Sequence, residues 1–307
     1  MPDRPILVTG AMGLVGNAAR RALEDAGRAV VAVDRLEGEV AGRKVLAGDV
    51  TAVHRLHALA LEHGGFAGIL HCGAFSGPMV ARDDPAAMVA VNITGTANVL
   101  ELARIHRVPR VVFCSSVSAY GNTPDGLSPV PEATPLHPTT VYGASKAAGE
   151  ALLDGYAAQF GVDGLALRIS WVYGPRRTTA CALRDMLQHA QAGRPFHLPF
   201  GADQHRQYVH VDDVAHALVL ALDAERPGQR AYNITGGTLA TLGEVAAIVG
   251  RVVPGASLTL DPGADPMDDR QAAFDLRAAE RDLGYRPAVG LEEGIRRYAA
   301  WLRGPGA

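Results

Sequence analysis

Tyr142 and Lys146 stand four residues apart in a stretch, 140–160, whose apolar spacing predicts a helix, so the two side chains share one face. A phenol of ordinary pKa, about 10, is a weak base at neutral pH, and a cation held close to it stabilises the phenolate. Such a pair can take the proton from a carbinol as hydride leaves its carbon. Tyr-x-x-x-Lys also arises on helix surfaces, where it does nothing. Its position is what counts here, because it follows a strand ending on Ser115-Ser116, whose hydroxyls would emerge at the carboxyl edge of a sheet.

A second constellation opens the chain. A strand over 6–9 runs into Gly10-Ala11-Met12-Gly13-Leu14-Val15-Gly16 and then a helix. Gly10 permits the tight turn, Gly13 lets backbone approach a pyrophosphate and Gly16 lets helix and strand pack closely. The loop residues Met12, Leu14 and Val15 would then lie along the cofactor. Asp34 ends the next strand, near the roughly 20-residue offset of a ribose-binding carboxylate. It would accept from both ribose hydroxyls and repel a 2′-phosphate, which favours NAD over NADP, and Arg35 beside it weakens that preference.

The elements that must hold these residues alternate short β-branched runs with amphipathic stretches. Strands are expected over 6–9, 29–34, 44–47, 68–72, 110–115 and 165–170, and helices over 14–26, 53–62, 85–106 and 140–160. The pattern predicts βαβ units in an α/β, Rossmann-type doubly wound parallel sheet. Beyond Trp171 the rhythm breaks into a helix over 180–192, a strand over 206–210, a helix opened by Asp212-Asp213, and a last helix striped by Leu291, Ile295, Tyr298 and Leu302. The expected division is a dinucleotide-binding domain over 1–170, to which 206–237 returns, and a smaller α/β substrate-binding domain of 171–205 and 238–307. The segment 122–138, with five prolines, reads as a lid or a rigid connection.

A hydrophobic share of 48% over 307 residues supplies a large core. The net charge of −3 leaves no basic footprint, so nucleic-acid binding is not expected. The first residues lack the apolar stretch of a signal peptide, and no apolar run is read as approaching the roughly 20 residues of a membrane helix. A cytoplasmic protein away from membranes is therefore expected. Cys72, Cys114 and Cys181 are widely spaced and read as buried free thiols. His54 and His57 share a helical face without a partner at ligand spacing, so they read as solvated and no metal is expected.

With these pieces assembled, the chain resembles an extended short-chain dehydrogenase/reductase, the NAD-dependent sugar epimerase/dehydratase family. The resemblance rests on Thr9-Gly10-x-x-Gly13-x-x-Gly16, Asp34, Asp49-Val50, His71-Cys72-Gly73-Ala74, Asn92 with Gly95-Thr96, Ser115-Ser116 ahead of Tyr120-Gly121, Tyr142-x-x-x-Lys146, Val172-Tyr173-Gly174-Pro175-Arg176 and the run from Arg206 to Asp213. It implies that Asp49 and Val50 flank the adenine, that Cys72, Gly73 and Ala74 pass beside the cofactor with Val172, and that Lys146 also grips the nicotinamide ribose. Ser116 would hydrogen-bond the reacting oxygen, with Ser118 nearby at the substrate. Asn92 would brace the active-site helix at the cofactor's edge, or be a buried satisfied amide. His71 reads as a satisfied strand-end residue. Family members commonly dimerise through the helices matching 85–106 and 140–160, so a homodimer is expected.

Departures from the family pattern narrow the chemistry. Sugar dehydratases carry an Asp-Glu pair where this chain has Val117 and Ser118, so no carboxylate is at hand to abstract a proton α to a keto group. Nucleotide-sugar members usually have an Asn that contacts the substrate diphosphate where this chain has Trp171, and an indole can stack on a ring or close the pocket instead. Arg206 matches the arginine that often grips the same diphosphate; it also suits a sugar-acid carboxylate or a brace at the domain junction, with ligand contact the expectation. Arg176 and Arg177 would add positive charge. The implied activity is hydride transfer at a sugar hydroxyl, by nucleotide-sugar 4-epimerisation or by dehydrogenation of a sugar or sugar acid. The competing reading, a non-catalytic NAD-sensing or interaction protein on the same fold, would not need Ser116, Tyr142 and Lys146 together.

Overall fold

Apolar runs such as Val111 to Cys114 make strands buried on both faces, as parallel strands covered by helices must be. In the computed structural model, which describes residues 4–40, 42–177, 179, 181–265 and 268–304, these runs form one eight-stranded sheet. In chain order the elements are β1 (Ile6–Thr9), α1 (Leu14–Asp25), β2 (Val30–Asp34), β3 (Gly38–Val40), β4 (Arg43–Ala47), α2 (Val53–Glu62), β5 (Gly68–His71), α3 (Pro85–Val89), α4 (Gly95–His106), β6 (Val111–Ser116), α5 (Val141–Phe160) and β7 (Gly164–Ile169). There follow β8 (Trp171–Tyr173), α6 (Ala182–Gln191), β9 (Phe196–Leu198), β10 (His205–His210), α7 (Val211–Asp223), β11 (Ala231–Ile234), β12 (Leu239–Thr241), α8 (Leu242–Val252), β13 (Leu258–Leu260), α9 (Arg277–Leu283) and α10 (Leu291–Leu302).

The sheet order is β11-β7-β6-β5-β1-β2-β4-β3. Every pairing is parallel except β3 with β4, an antiparallel edge too short to show in the sequence pattern. The chain leaves β1 toward β2 on one side and toward β5 on the other, which opens a crevice at the carboxyl ends of the strands. Ala19 and Leu23 of α1 pack with Val214, Leu218 and Leu222 of α7 on one face. Leu56 and Leu59 of α2, Val99 and Leu100 of α4 and Leu153 of α5 cover the other.

A separate core lies around the three-stranded sheet β12-β10-β8, where Leu183 and Met186 meet Leu242, Val245, Ile295 and Tyr298. Two segments differ from the expected division. Strand β10 pairs with β8 and β12 instead of joining the large sheet, and its alternation sends Tyr208 into the small core and Val209 into the large one. Only α7 and β11 return to the large sheet. Helix α9 and Tyr285, expected in the smaller unit, bury Ala278, Ala279, Leu283 and the Tyr285 ring against the large core. Ala180, the expected start of α6, and residues 1–3 and 305–307 of the expected domains lie outside the described residues.

The stretch 85–106 is one continuous helix in which a π turn, Ala90–Thr94, joins α3 to α4. By length and composition it is long and apolar enough to cross a membrane, contrary to the reading of the sequence. Its apolar side chains Val99, Leu100, Leu102 and Ala103 are spent on the core. The 122–138 segment is a fixed connection, since Val130 exchanges backbone bonds with Ala273 and Asp275 and the Glu132 carbonyl accepts from Arg168. His57, expected in solvent, faces His106 across 2.9 Å, while His54 is exposed.

Candidate active site

The crevice is a cleft of about 800 Å³. At one end Gly10 turns the chain with φ +65°, where a Cβ would sit 2.7 Å from the Gly73 nitrogen. A Cβ on Gly16 would collide with the Gly10 carbonyl, so α1 starts against β1 only without a side chain there. No side chain caps α1 and no acid lies in its first turn, which leaves its N-terminal amides and dipole for an anion. Asp34 is oriented by two backbone donors, Met12 N at 2.9 Å and Arg35 N at 2.7 Å. This cradle fits the pyrophosphate and ribose of a dinucleotide. Met12, Gly13, Leu14, Val15, Arg35, Asp49, Val50, Cys72, Gly73, Ala74 and Val172 line the same cleft.

Strand order sets its length. Asp34 ends β2 and Ser116 ends β6, three interstrand steps or roughly 14 Å apart. Between them a polar strap fixes the strand ends. Thr9 Oγ1 accepts from Gly73 N at 3.0 Å and meets His71 Nδ1 at 2.8 Å, while His71 Nε2 meets Thr96 Oγ1, which donates to the Asn92 carbonyl. With the Thr9 hydroxyl already accepting, its proton goes to Nδ1, and the imidazole carries its own proton on Nε2. Burial, aided by Lys146, pushes the His71 pKa down to about 3, so the ring stays neutral.

At the other end Thr140 caps α5 by accepting from Gly143 N at 3.0 Å, which puts Tyr142 in the first turn. Tyr142 and Lys146 are 7% and 3% exposed and both line the cleft. Lys146 Nζ donates to the Cys114 carbonyl at 2.8 Å and lies 5.7 Å from the centre of the Tyr142 ring. Ser116 closes β6, and its Oγ accepts from Ser118 N in the turn that follows. Among the described residues of the cleft wall the only carboxylates are Asp34 and Asp49 at the glycine-loop end, so none stands beside Ser116. Cys72 and Cys114 also line the cleft, with sulfurs 3.4 Å apart; the hydrogen bond to Cys114, together with burial, raises the Cys72 thiol.

Three expected site residues stand elsewhere. Asn92 is off the cleft wall; its amide bonds both backbone groups of Phe75 and the Ser145 hydroxyl, which in turn donates to the Tyr142 carbonyl. It positions α5 from behind. Arg176 is also off the wall, with Arg177 there in its place. Arg206, expected on a ligand, is 6% exposed and spent on Asp265 and Asp268, each at 2.7 Å. Trp171 lines the cleft as expected, and the Arg206 guanidinium stacks 4.2 Å from its ring centre.

Several supporting residues gave no sequence signal of a role. Glu150 accepts from Ser115 at 2.5 Å and from Arg168, whose Nη1 reaches the Tyr120 hydroxyl, forming a buried network beneath the β6 end. Gln271 donates to the Val117 and Gly121 carbonyls and pins the turn beside Ser116. The aperiodic stretch around Asp265 and Asp268 offered no pattern to read.

The family model for the NAD dependent epimerase/dehydratase family matches residues 6–235. The chain belongs to this family. UDP-glucose 4-epimerase of Corynebacterium glutamicum is 29% identical over 306 residues, covering 92% of this chain and 90% of that protein. UDP-glucuronate 4-epimerase 4 of Arabidopsis thaliana is 27% identical, over 96% of this chain and 74% of that one. Among solved structures, the Thermus thermophilus UDP-glucose 4-epimerase complex with NAD is 28% identical, with a TM-score of 0.86 over 98% of this chain and 99% of that one. As a family member the protein is an NAD-dependent enzyme of the extended short-chain dehydrogenase/reductase type, and NAD is its cofactor.

Proposed function

We propose that the enzyme oxidises a secondary carbinol of a sugar, with Ser116, Tyr142 and Lys146 as its catalytic residues. The observation that carries this reading is their convergence on one end of a single cleft whose other end is the Asp34 and glycine-loop cradle. The Ser116 hydroxyl holds the carbinol oxygen. Tyr142 takes the proton from that oxygen, and Lys146, anchored on the Cys114 carbonyl, favours the negative charge that the phenol oxygen must carry to do so. NAD, when bound, supplies the electron sink by accepting hydride at its nicotinamide. Phe75 to Pro78 and Trp171 line the same cleft.

Two outcomes share this step. The names of the relatives favour 4-epimerisation, in which hydride returns to the other face of the same carbon. The pairing of Arg206 with Asp265 and Asp268 favours net dehydrogenation of a sugar that lacks a diphosphate. Incubating enzyme and NAD with UDP-glucose or UDP-galactose, and separately with free aldoses and uronates, separates them. Net NADH release supports the dehydrogenase, and an epimer formed without release supports the epimerase.

We further propose that the enzyme is a cytoplasmic homodimer. Val89 on α3, Ile105 on α4 and Phe160 on α5, 42%, 49% and 54% exposed, leave apolar surface on these helices for a twofold mate.

A further inference from the structure

Arg206, on β10, lies against the Trp171 ring of the cleft wall, and its guanidinium is paired with two carboxylates. Its Nε donates to Asp268 and its Nη2 to Asp265, while Gln204 bonds Asp268 at 3.1 Å and accepts from the Asp265 nitrogen at 2.5 Å. The two carboxylates are 18% and 14% exposed, so one cation faces two anions in a place largely closed to water. Burial works against the charge on Arg206, yet Tyr208 and Asp268 beside it hold the guanidinium above its ordinary pKa. A third carboxylate, Asp269, bonds Thr139 just ahead of the α5 cap, and Gln271 of the same segment grips the turn after Ser116. Asp269 and Gln271 thereby tie this part of the chain to α5 and to the turn beside the catalytic end.

A nucleoside diphosphate brings two negative charges that need cations or free donors when they leave water. The cations on the described cleft wall are Arg35, beside Asp34; Lys146, on the Cys114 carbonyl; and Arg177, held through Nη1 to the Val172 carbonyl at 2.7 Å. Of these three, Arg177 alone belongs neither to the Asp34 end nor to the catalytic pair; its Nε is buried without a partner, which leaves Nη2 as the donor group a substrate could engage. Trp171 offers something different, an indole fixed by Arg206 on one side and exposed to the cleft, suited to the C–H face of a sugar ring. Ser116, Ser118 and Thr179 add hydroxyl-bearing residues to the same cleft wall.

Building on the sugar-oxidation reading above, we infer that the substrate is a free sugar or sugar acid, and that Asp265 and Asp268 set this preference by sequestering Arg206. A sugar acid would set its one carboxylate against Arg177, and a neutral aldose would leave that guanidinium to water.

The test is calorimetric titration of the NAD-loaded enzyme with UDP and UDP-glucose, beside NADH assays on pentoses, hexoses and hexuronates. The wild type should bind either nucleotide no tighter than about 1 mM. D265N/D268N, with carboxamides of the same size, should gain at least roughly tenfold in UDP affinity. NADH should form with a member of the free-sugar panel, an aldose or a uronate according to the use of Arg177. Wild-type affinity for UDP tighter than about 100 μM, or equal affinity in wild type and variant, would overturn the inference. So would turnover of UDP-glucose with the free sugars inert. NAD binding in the same cell reports whether the double variant is folded; if it is not, D268N alone carries the comparison. UDP titration involves no chemistry, so it judges this inference separately from hydride transfer, which fails if no substrate of either class yields NADH or an epimer.

Discussion

His71 has the chemistry of an acid or base and none of the freedom. It is 2% exposed, and its two ring nitrogens are held by Thr9 and Thr96. In the unfolded chain it protonates near 6.5, whereas the folded site waits until about 3. The unfolded state therefore binds more protons between those values. Its contribution to stability is complete above 6.5 and is lost as pH falls toward 3, by up to about 1.4 kcal/mol per unit. Between pH 6.5 and 5 the wild type should lose about 1.6 kcal/mol more unfolding free energy than His71→Gln, read from urea melts; parallel profiles would contradict the strap. Asp34 makes a separate prediction. Asp34→Ala removes the anion that repels a 2′-phosphate, and the ratio of NAD to NADP affinity should fall by roughly tenfold, about 1.4 kcal/mol. A ratio that does not move would mean the carboxylate serves only Met12 and Arg35.

At the scale of elements, what can be read from sequence is what repeats or what must be glycine. Short β-branched and apolar runs in the strands, amphipathic spacing in the helices and the glycine spacing of the first turn brought β1, α1, β2, β6 and α5 into view, and with them Asp34, Ser116, Tyr142 and Lys146. Asn92 was legible as a brace, yet its Phe75 and Ser145 partners were not, because they depend on how a π turn aims one amide across to α5. The pairing of Arg206 was hidden for a related reason. Asp265 and Asp268 lie about sixty residues further on, in a stretch without periodicity, and only the folded chain brings them to β10. Asn92→Ala should cost about 1–3 kcal/mol by stranding the Phe75 amide. It should also lower kcat while leaving NAD affinity near wild type, since the brace lies off the cleft wall. Unchanged kcat would make Asn92 a structural amide and nothing more.

For the molecule as a whole, β10 and the 268–275 segment join two cores and so hold the cleft between a large parallel sheet and a smaller three-stranded one. The cofactor cradle belongs to the first, and Trp171 and Arg206 to the second. The apolar helical face outside both is the expected dimer contact. Ile105→Glu with Phe160→Glu should shift sedimentation from dimer to monomer without loss of NAD binding; a monomeric wild type would remove that assignment. At the carboxyl end of the large sheet a phenol, an ammonium and a serine hydroxyl share the end of the cleft, and their joint action is the centre of the proposed chemistry. That joint action is tested most directly by NADH formation or epimerisation in Tyr142→Phe with NAD binding measured alongside. Turnover should fall by roughly 10²- to 10⁴-fold with NAD affinity retained, and turnover equal to wild type would contradict the account.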